Sequence, residues 1–325
     1  MKTKLALAIA AATVSALVLA GCSSAGPDAS ASPSPTTSAE ADQAKLQAEA
    51  DAMLEKVKWE EDANGVPTVT FDMPFSVQTT SARVVTDGDG AEITADQVAS
   101  LNYVVTNGTD GTVQYSTYDK GGKPEAVTIS EGQIDPVLLD ALIGSHVGVD
   151  FLYATPGNAD PTAPSPSVIM AVTVAEAVTP LERATGTAVT PPAGLPTVTL
   201  DATTGAPTVV NPTTNPPADL VAQTLIKGDG KVVKEDDSIT IHYTGSLWDG
   251  TKFDSSWDRG APATFPLSKG QLIDGWVQGL AGQTVGSQVL LVVPPALGYG
   301  DKDSQDGTIP GGSTLVFVVD ILAAS

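Results

Sequence analysis

The sequence predicts an α+β fold used twice along one chain, each copy an antiparallel β-sheet packed against a single short helix. Three observations carry this prediction. Short motifs recur in the same order in the middle and in the C-terminal part of the chain. The 325 residues include 31 Gly and 24 Pro with only 5% aromatics, a composition that favours turns and β-rich domains. Within each copy, strand-like stretches rich in Val, Thr and Leu flank one segment of helical spacing.

The repeat begins with Gly65-Val66-Pro67-Thr68-Val69-Thr70-Phe71-Asp72, which recurs as Gly194-Leu195-Pro196-Thr197-Val198-Thr199-Leu200-Asp201. Asp87-Gly88-Asp89-Gly90 and Lys227-Gly228-Asp229-Gly230 each precede a stretch that ends in a tyrosine, Tyr103 and Tyr243. Ser130-Glu131-Gly132-Gln133-Ile134 answers Ser268-Lys269-Gly270-Gln271-Leu272, and His146-Val147-Gly148 answers Thr284-Val285-Gly286. Preserved order with a slowly drifting offset marks a duplicated domain. Residues 59–178 form the first copy and 218–325 the second. The Thr-, Pro- and Gly-rich stretch 179–217 is a linker with one strand at Thr197 to Leu200.

The second copy has the clearer pattern. Ser238 to Thr244 alternates apolar and polar residues, as a half-buried strand does. Trp248-Asp249-Gly250-Thr251 is a hairpin turn. Ser268 and Gln271 have the spacing of a capping box. Leu272, Ile273, Trp276, Val277 and Leu280 then follow at helical spacing, and Gly279 and Gly282 hold that helix to about three turns. Gln288 to Val293 and Thr314 to Ile321 are two further strands.

Charge and rare residues exclude several functions. Asp and Glu number 38 against 16 Lys and Arg, a net charge of −22 that argues against a nucleic-acid partner. A single Cys excludes a disulfide framework and a Cys-based zinc site, and two distant histidines, His146 and His242, do not make a metal site. No metal or other cofactor is expected. The acidic loop Asp301 to Gly312 fails the EF-hand pattern, with Asp306 where Gly is needed.

The N-terminus is an address. Lys2 and Lys4 precede an apolar run, Leu5 to Ala20, too short for a membrane span of roughly 20 residues. Leu19-Ala20-Gly21-Cys22 then resembles the lipobox of bacterial lipoproteins. The resemblance implies a signal peptide over 1–21, lipidation of Cys22, and a lipid-anchored protein on the extracytoplasmic face of a cell membrane. Residues 22–58 are a tether, disordered to about residue 44 because Ser, Pro, Ala and Thr bury too little apolar surface. A short amphipathic helix over Ala44 to Lys58 presents Leu46, Met53, Leu54 and Val57.

The second copy carries a set of motifs in order: His242-Tyr243-Thr244-Gly245, Asp249-Gly250-Thr251-Lys252-Phe253-Asp254-Ser255-Ser256, Asp258-Arg259, Ile273-Asp274-Gly275-Trp276-Val277-Gln278-Gly279-Leu280 and Pro294-Pro295-Ala296-Leu297-Gly298-Tyr299-Gly300. Ile309-Pro310 and Thr314-Leu315-Val316-Phe317 follow. Together they resemble the FKBP family of peptidyl-prolyl cis-trans isomerases. The resemblance implies a strongly curved antiparallel sheet wrapped over one helix, with an apolar active-site pocket between them. It makes Trp276 the pocket floor and Tyr243, Phe253, Leu272, Ile273 and Phe317 walls, with Phe265 behind. The Ile273 N–H and the Tyr299 hydroxyl donate to substrate carbonyls, and Asp254 accepts from Tyr243 and faces the twisting amide.

On this reading the chain catalyses prolyl isomerisation in exported proteins. Proline-containing polypeptides are its clients, macrolides its inhibitors, and its only tie to the membrane is the lipid. A non-catalytic peptide-binding or chaperone lipoprotein on the same scaffold is the alternative. The first copy keeps Tyr103 but not the other pocket residues. Val113-Gln114-Tyr115 stands for Phe253-Asp254-Ser255, Leu138 for Trp276, Asp135 for Ile273 and Met170 for Phe317, and no residue stands for Tyr299. It is read as a catalytically silent copy.

Overall fold

The computed structural model describes residues 35–158 and 165–325. Cys22 and the apolar run before it lie outside the described residues. The chain divides into a first unit ending at Ala177 and a second beginning at Val178.

The first unit opens with helix α1 (Pro35–Leu54) and a hairpin of β1 (Lys58–Glu61) and β2 (Pro67–Thr70). Its main strands are β3 (Ser81–Thr86), β4 (Val98–Asn107), β5 (Val113–Ser116), β6 (Glu125–Thr128), β7 (Asp150–Thr155) and β8 (Val168–Val178), with α2 (Pro136–Leu142) before β7. They form a sheet of order β3-β7-β8-β4-β5, with β6 also on β4. Leu138 and Leu142 of α2 pack on one face of the sheet among Tyr103, Phe151 and Met170.

The tether expected before residue 59 is helical from Pro35 onward. The reason is a partner that composition does not reveal. Ala50, Leu54 and Val57 are buried with Phe75, Leu152 and Ile169 on the other face of the sheet, and that burial offsets the entropy of ordering the segment.

The second unit follows the same plan. It contains β9 (Thr187–Ala188), β10 (Thr197–Leu200), β11 (Pro207–Val210), β12 (Val221–Lys227), β13 (Ser238–Leu247), β14 (Lys252–Ser255), α3 (Ser256–Arg259), β15 (Ala263–Pro266), α4 (Asp274–Leu280), β16 (Gln288–Val293) and β17 (Leu315–Ala324). The sheet order is β14-β13-β17-β16-β12-β9, with β15 on β13. Strand for strand, β12-β16-β17-β13-β14 repeats β3-β7-β8-β4-β5. The fold is α+β, and the duplication is visible in topology. β13 pairs with β15 along Ser238 to Ile241 and with β14 along Thr244 to Ser246, and its register against β17 shifts between Thr240 and Ile241, where Leu322 of β17 is the extra residue.

Four expectations change. The stretch 179–217 is more than a linker: β9 joins the sheet through β12, and β10 and β11 form a hairpin whose Val198 and Val209 cover Leu290, Val316 and Val318. This hairpin also corrects the repeat register. Asp62 and Gly65 turn the first hairpin as Asp201 and Gly205 turn the second, so Pro67-Thr68-Val69 answers Pro207-Thr208-Val209 and not Pro196-Thr197-Val198.

The expected capping box at Ser268 is absent. α4 starts at Asp274 with Ile273 as its N-cap and no side-chain cap, and it runs for 7 residues. Gly270 at φ +82° turns the chain sharply before the helix can begin. Finally, β13 is buried on both faces, not one. Several of its polar side chains are paired, Thr240 with Thr264 at 2.9 Å and His242 with Ser256 at 2.9 Å, while the buried Ser246 hydroxyl has no partner among the described residues.

Candidate active site

One cavity of about 580 Å³ lies between the concave side of the second sheet and α4. Trp276, on the first turn of α4, is buried at its base. The sheet supplies walls from four strands: Tyr243 from β13, Phe253 and Asp254 from β14, Phe265 from β15 and Phe317 from β17. Leu272 and Ile273 close the side next to the helix start, and Tyr299 stands at the rim, 47% exposed. The structure therefore gathers all nine sequence-derived pocket residues around one space.

The aromatic rings meet edge to face. Trp276 sits 5.1 Å from Phe317, 5.4 Å from Tyr243 and 6.2 Å from Phe265, with interplanar angles of 87°, 80° and 84°. Phe253 meets Phe317 at 5.6 Å and 83°. Such pairs fix ring orientation beyond simple burial. Gly245 makes room for this wall: a Cβ there would stand 2.7 Å from Phe253 and 2.9 Å from Phe317. The Trp276 Nε1 is buried without a hydrogen-bond partner among the described residues.

Asp254 is clamped from two sides. The Tyr243 hydroxyl donates to its Oδ2, and Arg259 Nη1 donates to its Oδ1. Arg259 Nη2 also donates to the Tyr243 oxygen at 2.9 Å, and the guanidinium lies 5.6 Å from the Tyr243 ring centroid. Partial burial pushes the Asp254 carboxyl up, but the bonds from Tyr243 and Arg259 and the guanidinium charge outweigh it. The net pKa lies below the usual carboxylate range. Burial and the Asp254 bond hold the Tyr243 hydroxyl above its ordinary value. The Tyr243 proton is thus committed to Asp254, and the cavity wall keeps a fixed carboxylate.

Two donors remain at the rim. The Ile273 N–H and the Tyr299 hydroxyl have no acceptor among the described residues. The Ile273 position follows from helix geometry, since the N-terminal amides of a helix lack partners within it. The acidic loop beyond Tyr299 is folded on its own carboxylates. The Ser304 hydroxyl and the Thr308 N–H and hydroxyl all donate to Asp306 Oδ1, which draws that carboxyl down to about 2.

The equivalent space in the first unit is nearly filled, at about 10 Å³. Tyr103, Leu138, Tyr153 and Met170 line it. Register moves one sequence equivalence by a residue. Tyr115 pairs with Val105 as Asp254 pairs with Gly245, so Tyr115 answers Asp254 and the bulged Gln114 answers Phe253. The start of α2 also differs: the Asp135 side chain caps it by accepting from Val137 N at 2.8 Å, whereas Ile273 gives α4 no side-chain cap.

Residues 230–322 match the family of FKBP-type peptidyl-prolyl cis-trans isomerases. An FK506-binding protein of Streptomyces anulatus is 42% identical over 118 residues, 36% of this chain and 95% of that protein. The chain belongs to the FKBP family. The FK506-binding protein 2B of Rhizopus delemar is 55% identical over 87 residues, 26% of this chain and 41% of that protein, so the chain spans less than half of it. The crystal structure of FkpA from Escherichia coli aligns at 35% identity and a TM-score of 0.31, covering 39% of this chain and 51% of that one. The FKBP match lies wholly within the second unit, the one that holds the open cavity, and identifies it as an isomerase.

Sequence reasoning gave Arg259 no role, although it stands in the quoted Asp258-Arg259 motif. The signal was its spacing: Asp254 and Arg259 sit at the two ends of one short turn, close enough for a side chain to reach back.

Proposed function

We propose that the second unit catalyses cis-trans rotation about X–Pro bonds in exported proteins, by seating proline on Trp276 in the apolar cavity. The observation that carries this reading is the cavity itself: an aromatic box with two free donors, Ile273 N–H and the Tyr299 hydroxyl, at its rim. The reaction requires no nucleophile and no proton transfer. Its barrier is amide resonance, about 18–20 kcal/mol. The twisted amide has less charge separation than the planar one, so an apolar site that excludes water favours it. Rim donors hold the flanking carbonyls, and the fixed Asp254 carboxylate faces the carbonyl of the rotating bond, whose carbon becomes more electrophilic as resonance is lost.

The first unit, with its space filled, is a silent copy on this account. The lipobox-like motif Leu19-Ala20-Gly21-Cys22 supports a lipid-anchored location on the outer face of a membrane, where secreted chains fold. Macrolides of the kind named for the FK506-binding relatives are the expected inhibitors, since they present an apolar ring to the same floor.

The test is exchange of a short proline peptide, followed by NMR in the presence of the full chain. Acceleration is expected, with competition by FK506. Peptide binding without acceleration would favour the non-catalytic alternative.

A further inference from the structure

Behind the cavity wall, on the face of β13 opposite Tyr243, lies a second aromatic contact. Neighbouring strand residues point to opposite faces, so His242 is directed away from the cavity. Its ring stacks on Trp257 with centroids 4.0 Å apart and an interplanar angle of 19°. The His242 Nδ1 lies 2.9 Å from the Ser256 hydroxyl, and the Tyr243 N–H donates to that hydroxyl oxygen at 2.8 Å. Ser256 and Trp257 begin α3, and Arg259 ends it.

α3 is a single turn of 4 residues, and so short a helix has little stability of its own. On its outer side the Lys252–Asp258 pair at 2.5 Å is exposed, and such pairs contribute little; the Arg259 contacts are the ones whose position is in question. The orientation of the turn is therefore set by its inner side, by the Ser256 bonds and the Trp257 stack. That orientation decides where the Arg259 guanidinium sits, and Arg259 bonds both Asp254 and the Tyr243 hydroxyl.

We propose that Trp257 is a positioning residue for the proline cavity: stacked on His242, it holds α3 in the orientation from which Arg259 clamps Asp254 and Tyr243. Trp257 touches neither the cavity nor any substrate seated in it. Its effect on turnover rests on the isomerase reading above, whereas its effect on the Tyr243 hydroxyl does not.

The experiment uses four variants of the full chain: Trp257→Leu, Trp257→Phe, Arg259→Ala and the double Trp257→Leu with Arg259→Ala. Leucine keeps apolar bulk without the stack, and phenylalanine keeps a ring. Two quantities are read: kcat/KM for a proline peptide, and the ring Cζ shift of Tyr243 in tyrosine-labelled protein.

The expected result is that Trp257→Leu lowers kcat/KM about tenfold, as Arg259→Ala does, and that the double variant is no worse than either. Trp257→Phe should stay within about threefold of wild type. The Tyr243 signal should move in Trp257→Leu toward its position in Arg259→Ala. Losses that multiply in the double variant, or a Tyr243 signal unmoved by Trp257→Leu, would overturn the proposal. An unaccelerated peptide with wild-type protein would overturn the isomerase reading, and the Tyr243 shift would still decide the role of Trp257.

Discussion

Tyr153 and Leu291 hold the same register position in the two sheets: Tyr153 lies opposite Met170 on β8, and Leu291 lies opposite Phe317 on β17. The exchange accompanies the difference between a space of about 10 Å³ and one of about 580 Å³. The larger Tyr153 ring is buried beside Leu138, and burial and the nearby Asp135 push its hydroxyl pKa up. Tyr153→Leu should open a cavity in the first unit at a cost of about 1–3 kcal/mol, read by denaturant unfolding. An unchanged unfolding midpoint would show that the ring is not what fills the space.

Asp254 should matter as a held negative charge. Asp254→Asn should lower kcat/KM about tenfold, roughly 1.4 kcal/mol of transition-state preference, with the domain still folded. In wild type the carboxyl titrates below its ordinary range, so it contributes stability above the unfolded value of about 3.9 and loses it as pH falls through the lower folded value. The kcat/KM profile should be flat from pH 7 down to about 4. A decline centred near pH 5 would mean that the clamp does not hold the charge.

His242 sets a different pH window. Burial keeps its imidazole below the ordinary value. An unfolded histidine titrates near 6.5, so below that pH the unfolded chain binds a proton that the folded chain refuses. Stability from this residue is full above about 6.5 and falls as pH drops toward the folded value. Urea unfolding at pH 7.5, 6.5 and 5.5 should show a steeper decline in wild type than in His242→Phe. Parallel declines would place the dependence on other groups.

Cys22 should govern location. Two or more acyl chains anchor stably where one binds marginally. Cys22→Ala should appear in the medium while wild type fractionates with membranes. Membrane fractionation of the variant would count against lipid attachment.

The strands and the Trp248–Thr251 hairpin were legible because periodicity and turn chemistry are local properties, and the nine cavity residues because their motifs resemble those of the FKBP family. What was not legible depends on distant partners. Pro-Thr-Val occurs at both Pro196 and Pro207, and only the turn at Asp201 and Gly205 shows which one answers Pro67. The start of α4 was obscured because Ser268 and Gln271 have capping spacing while Gly270 turns the chain between them. The C-terminal end of α1 is docked because Ala50 and Leu54 pack against Leu152 and Ile169, residues about a hundred positions away. The spacing of Asp254 and Arg259 does signal the clamp, whereas Trp257 and Tyr153 act through a stack and a cross-strand pair that sequence spacing alone does not specify.

If one cavity, floored by Trp276, performs the isomerisation for the whole chain, replacing that floor should abolish it. Trp276→Leu gives the second unit the residue that the first carries at Leu138, and it keeps apolar bulk at the helix. NMR exchange rates of a proline peptide with equal amounts of folded wild-type and Trp276→Leu full chain compare the two floors directly. Wild type should accelerate the exchange, and the variant should fall to near the uncatalysed rate, about tens to hundreds of seconds per event. Wild-type acceleration by the folded variant would contradict that role for Trp276.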